Sequence, residues 1–264
     1  MSKGILLFHC TAWLATSIST FALRAEMPAK TATAPAAQPA RRFTTTLQTG
    51  FAETFQLTLG GVFGKGPALQ NRVTLGVSSL FLTGDTLAVS GWTTNDWQSR
   101  RNDWLASLSY KFRAYRHGNQ SLHLGGGLER WRFPSVLKGA NDWISVYSAT
   151  YATRVASVPF QVQSNSYTVL SSPLTKGTLI NTQAWFEHPL LKHESLRLTL
   201  RHGPQHTYSW NFYGTNGHRV LRYAGALVLT VRQTQLEAGI RPQYGLQSRI
   251  PDNKYWYVLI SRTF

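Results

Sequence analysis

The sequence holds one cysteine, Cys10, and it lies inside the N-terminal apolar stretch. If that stretch is an export signal removed from the mature chain, no thiol remains, and disulfides and thiolate chemistry are not expected. Acidic residues are also scarce, 11 Asp+Glu against 27 Lys+Arg, for a formal net charge of +16. Internal repeats, phosphate-cradling glycine loops and metal-ligand clusters are missing, and His188 and His193 are spaced too loosely to argue for a metal. No cofactor or metal is therefore expected. Long apolar runs are lacking beyond Gly4 to Leu14, so the remaining apolar side chains must be hidden by a periodic pattern.

The start of the chain has a positive Lys3, the apolar GILLFHCTAWL segment, and small residues up to Ala22 and Ala25. This is the make-up of a secretory signal peptide over residues 1–25. A membrane-anchoring helix fits less well, because His9, Cys10 and the following Thr and Ser residues interrupt the run before it reaches spanning length. Residues 26–42 (EMPAKTATAPAAQPARR) are rich in Ala, Thr, Pro and Gln. Such a composition does not support a packed core and reads as a flexible periplasmic leader.

From Phe43 to Phe264 the chain alternates apolar and polar residues in segments of about ten, separated by Gly, Asn, Asp, Pro and Lys clusters. Residues 55–63, 73–81 and 104–112 read as strands. Residues 196–200 and 208–212 read as two neighbouring strands, and 221–231, 236–240 and 255–264 follow. Parity drifts in residues 86–92, 121–133, 143–158 and 160–170, and an extra residue at Gly125-Gly126-Gly127 would account for the second of these. The polar positions carry Ser, Thr, Gly, Asn, Gln and Arg, with few of the acids and lysines of a solvated surface, and Trp and Tyr gather at strand ends. These traits favour a closed antiparallel transmembrane β-barrel over a soluble β-sandwich. The barrel is expected to have about 12 strands. Merging strands within residues 143–170 gives twelve, whereas an added strand at residues 43–48 gives fourteen.

The last segment, Tyr255-Trp256-Tyr257-Val258-Leu259-Ile260-Ser261-Arg262-Thr263-Phe264, resembles the closing strand of bacterial outer-membrane barrels. The resemblance covers about ten residues, with Arg262 standing where alternation asks for an apolar side chain; near the rim a long guanidinium snorkels toward head groups. It implies an all-β barrel of the bacterial outer membrane. Phe264 would be the signal read by the barrel assembly machinery, with outer-membrane lipid and lipopolysaccharide as surroundings.

Without Lys3 and Arg24 of the signal, 25 cations oppose 11 acids, or +14. For an exported chain this excess points to anionic small molecules or acidic oligosaccharides rather than nucleic acid. Lys111, Arg113, Arg197, Arg201, Arg222, Arg232 and Arg241 share parity with the polar face of their strands and are expected to line the lumen as an anion filter. In architecture and charge the chain is similar to small arginine-lined channels for acidic oligosaccharides. Glu129, Glu187 and Glu237 are the available inward acids, and a lumen filled by Arg–Glu pairs would instead make a non-conducting barrel. A third reading is a lipid hydrolase using His202, His206 and Ser209, although no acid in that segment orients either imidazole.

Overall fold

The computed structural model describes residues 42–264, apart from 54, 57–61, 64–66, 98–100, 134–139, 172–175, 249 and 251. The expected signal (1–25) and leader (26–42) lie outside the described residues except for Arg42, which opens the first strand.

The strands are β1 (Arg42–Ala52), β2 (Phe55–Gln56), β3 (Val62–Phe63), β4 (Ala68–Ser78), β5 (Thr86–Asp96), β6 (Arg101–His117) and β7 (Gln120–Phe133). They continue as β8 (Ala140–Val155), β9 (Val158–Val169), β10 (Thr178–His193), β11 (Leu196–Phe212), β12 (Thr215–Val231), β13 (Thr234–Gly245) and β14 (Asn253–Thr263). Twelve of them close into an antiparallel barrel in which each pairs with its chain neighbour, while β2 and β3 pair only with each other. Closure joins β1 to β14, and Phe264 takes part: its N–H donates to the Thr45 carbonyl at 2.8 Å, and the Thr45 N–H donates back at 3.2 Å.

The expected count of twelve is reached by a different route from the one the alternation suggests. Of residues 55–63, the described ends form only the short β2–β3 pairing, outside the barrel, and 57–61 lie outside the described residues. Residues 43–48, the optional strand, are part of β1. Residues 143–170 form two strands, β8 and β9, joined by Ala156-Ser157, both at positive φ as a tight type I′ turn requires. Residues 196–212 form one strand of 17 residues, whose apparent break is a set of register shifts near Thr207 and Ser209. No bulge falls at Gly125–Gly127, which pair in unbroken register on both sides; the irregularity lies on β6 between Arg113 and Tyr115, which face His123 and Leu122. A Cβ on Gly127 would stand 2.5 Å from the Leu108 carbonyl, so the glycines serve close strand approach.

Burial is inverted relative to a soluble domain. Leu75, Leu108 and Leu227 are about half exposed (54%, 50% and 49%), whereas Arg222 is 2% exposed and Gln243 1%. Leucine is left outside and arginine is hidden because the surrounding solvent is hydrocarbon and the barrel interior holds the polar groups. Aromatic residues gather at both ends of the wall. Phe51 packs with Trp97 and Trp256 near the longer loops, and Phe81 with Tyr110 near a turn. Arg130 and Trp143 form a cation–π contact on the outer face, and the Arg262 guanidinium covers the Phe264 ring at 4.9 Å. Both termini of the described chain lie at the end with the short turns, the periplasmic end in barrels of this kind.

Candidate functional site

The interior of the barrel is the candidate site, and strand alternation sets its lining. On β12, Val220, Arg222, Ala224, Ala226 and Val228 are all buried, while Tyr223 and Leu227 between them are exposed. The same parity turns Lys111 and Arg113 on β6, Arg197 and Arg201 on β11, and Arg241 on β13 inward. Lys111 reaches across to Thr150 on β8 (3.4 Å), and Arg197 donates to Thr199 at 3.1 Å. Arg201 pairs with Glu237 and stacks on Trp185, Arg222 donates to Gln243 at 2.9 Å, and Arg241 lies 4.3 Å over the Tyr257 ring.

Arg232 departs from the expected lining. It occupies the two-residue turn between β12 and β13 at φ 52° and is exposed, because the strand reverses one residue before the alternation would turn it inward. Arg72 and Arg219 are among the inward cations outside the expected set. Arg72 shares parity with Gln70 and Thr74 on β4 and faces Glu129 and Tyr167 electrostatically; its position was legible from the outward Val73 and Leu75. Arg219 is buried at the β11–β12 register shift and donates to Thr215, and no sequence signal marks such a shift.

Acids stand at both ends of the lumen: Glu187, inward by parity on β10 opposite Arg201, and Glu237 lie toward the turns, and the others toward the loops. Asp96, Asp103 and Asp142 are buried at the loop ends of their strands, with Glu129 nearby on β7. Asp142 accepts from the Tyr213 hydroxyl at 2.7 Å and from Ser171 at 3.0 Å; Glu129 accepts from the Trp131 indole at 2.6 Å. Toward the turns stand Lys111, Arg113 and Arg197, none with a carboxylate within ion-pair distance among the described residues. Glu237, which also accepts from Tyr257 at 2.6 Å, is occupied by Arg201.

Apolar side chains fill part of the interior at the loop end. Trp131, Phe133, Ile144, Val169, Leu179 and Phe212 form one buried cluster, extended by Trp92, Leu105, Val146, Tyr167 and Tyr213.

The candidate hydrolase residues are separated. His202 and His206 project from the outer face of β11, where His202 bonds to His188 (3.0 Å) and Tyr223 (2.6 Å), and His206 to His218 (2.9 Å). Ser209 is fully buried on the inner side, where it accepts from Thr215. The sheet lies between them, so neither imidazole reaches the hydroxyl as a base.

Outside the wall, Asp85 closes the β4–β5 turn. Its carboxylate accepts the N–H groups of Leu80, Phe81 and Leu82 and the Tyr110 hydroxyl at 2.7–2.9 Å. Burial alone would raise its pKa, but these donors outweigh it and hold the group down at about 2.

No protein-family model matches the chain, and no curated protein matches it. Among solved structures it is similar to an outer membrane channel from Pseudomonas putida F1, with a TM-score of 0.55 at 12% identity over 88% of this chain and 100% of that one. LpxR from Salmonella typhimurium aligns with a TM-score of 0.45 at 8% identity over 83% of this chain and 100% of that one. At such identities the likeness is one of fold. Together with the closed barrel and its apolar exterior, it makes this chain a bacterial outer-membrane β-barrel.

Proposed function

We propose that the barrel is a channel whose basic interior admits anionic solutes, acidic oligosaccharides among them, from one side of the outer membrane to the other. The observation that carries this reading is the set of inward cations Lys111, Arg113 and Arg197 toward the turn end, with no carboxylate in ion-pair reach among the described residues. Cations on a confined wall concentrate anions, and a guanidinium matches a carboxylate or phosphate through two parallel hydrogen bonds.

Planar-bilayer recording tests it. The purified barrel is expected to conduct with anion preference, and joint reversal of Arg113→Glu and Arg197→Glu is expected to move the reversal potential toward cations. Absence of current, or cation preference in the unsubstituted protein, would overturn the proposal.

A second reading, a non-conducting barrel, is favoured by the aromatic cluster around Trp131, which occupies part of the lumen at the loop end. The same recording separates the two, since a closed barrel gives no unitary currents.

A further inference from the structure

The inner wall of β9, β10 and β11 carries, besides its cations, a block of carboxamides. Asn165 stands opposite Asn181, which in turn faces Thr207; one row toward the turns, Gln163 stands opposite Gln183, which faces Gln205. In the next row Gln161 is opposite Trp185. The inner face of β6 and β7, by contrast, carries small residues, where Ser107, Ser109, Gly125 and Gly127 recur.

The amides brace one another. Gln183 donates to Gln163 at 3.3 Å, Gln163 donates to Asn165 at 3.1 Å, and Gln205 donates to Asn181 at 2.7 Å. This fixes the orientation of each group, and a carboxamide, with two N–H donors and a carbonyl with two lone pairs, can take further partners beside these. The buried Asn181 Nδ2 has no hydrogen-bond partner among the described residues. Gln163, Asn165, Gln183 and Trp185 are half-buried, and short side chains on the neighbouring strands leave their edges uncovered. The Arg201 guanidinium covers the Trp185 ring at 5.3 Å and holds it in place.

Paired donors and acceptors without charge match hydroxyl groups, which also donate and accept, and an indole offers the apolar surface that a pyranose ring presents between its hydroxyls. We infer that Gln163, Asn165, Gln183 and Trp185 form a carbohydrate subsite that reads the hydroxyls of an oligosaccharide inside the barrel. The inference rests on a solute-accessible lumen; it concerns the sugar ring, whereas the cations concern any acidic substituent.

Equilibrium calorimetry on the purified barrel tests it, in an amine-oxide detergent that carries no sugar. The probes are maltohexaose, which is uncharged, and trigalacturonic acid. Both are expected to bind, and the double variant Gln163→Leu, Gln183→Leu is expected to weaken both by about tenfold, the loss of one to two hydrogen bonds. Trp185→Ala is expected to weaken them comparably, with Trp185→Phe retaining most of the affinity. Heat-modifiable gel mobility identifies variants that are folded. Unchanged affinity in a folded double-leucine variant, or no binding of either sugar to the unsubstituted barrel, would overturn the subsite. The outcomes are separable from those of the bilayer recording. Sugar binding lost with the amides but without anion preference removes only the anion channel, and anion preference without an amide effect removes only the subsite.

Discussion

The indole of Trp131 on β7 meets the ring of Phe212 at the end of β11, four strands away around the wall, with centroids 6.2 Å apart at an interplanar angle of 71°. The contact crosses the interior instead of running along the sheet, and Tyr167 on β9 lies against the same indole at 6.0 Å. Bulky side chains that meet across a barrel narrow its passage.

Replacing Trp131 by Ala is expected to raise single-channel conductance severalfold. It should also cost about 3 to 5 kcal/mol of stability, the usual penalty for truncating a buried tryptophan. Bilayer recording reads the first effect, and urea unfolding in lipid vesicles reads the second. A stable variant with unaltered conductance would show that the constriction lies elsewhere.

Arg201 and Glu237 form an ion pair on the inner wall, with side-chain exposures of 27% and 10%. Glu237→Gln leaves Arg201 without its counter-charge and adds one net positive charge to the lumen. Anion preference should increase, and stability should fall by roughly 2 to 3 kcal/mol, toward the low end because Arg201 remains partly solvated. A shift of selectivity toward cations would contradict the inward placement of this pair.

Gly203 lets β11 approach β10 closely, since a Cβ there would overlap the Ala184 carbonyl. The obstacle is backbone and does not rotate away. Gly203→Ala is expected to reduce the fraction of chain that reaches the heat-modifiable barrel form, whereas Gly225→Ala, where a Cβ meets nothing within 4 Å, should assemble normally.

The Asp85 carboxylate titrates near 2 in the folded protein against an ordinary 3.8. A depressed acid stabilises the fold above its unfolded pKa and loses that contribution as pH falls through the folded value. Protection of the Leu80, Phe81 and Leu82 amides, taken relative to their intrinsic exchange rates, should therefore fall between about pH 4 and pH 2. Asp85→Asn should show fast exchange at neutral pH already. Exchange rates in the unsubstituted turn that follow only the intrinsic pH dependence would remove the assignment.

Much of the barrel was legible because alternation is a local property. In β6, β12 and β14, a side chain at Leu108, Leu227 or Val258 faces the opposite way from Ser107, Ala226 or Tyr257 whatever the rest of the chain does. The inner placement of Lys111, Arg201 and Arg222 follows from the same rule. Strand limits were read less well. Phe55 to Phe63 alternates cleanly, yet its described ends, β2 and β3, stay out of the barrel, and the long β11 reads as two strands because its register slips near Thr207 and Ser209.

By itself, then, the sequence determined an alternating, strongly basic chain with a single cysteine in its N-terminal apolar stretch and a closing strand at Tyr255 to Phe264, which is enough to set the fold class. Only the tertiary structure decided which cations meet an acid, that Arg232 falls in a turn, that Ser209 and His202 lie on opposite faces, and that Trp131 reaches Phe212 across the lumen. The reason is physical. The face a residue occupies depends on its own strand, with a period of two, whereas partnership depends on register and closure, which arise only when strands far apart in sequence are hydrogen-bonded into one ring.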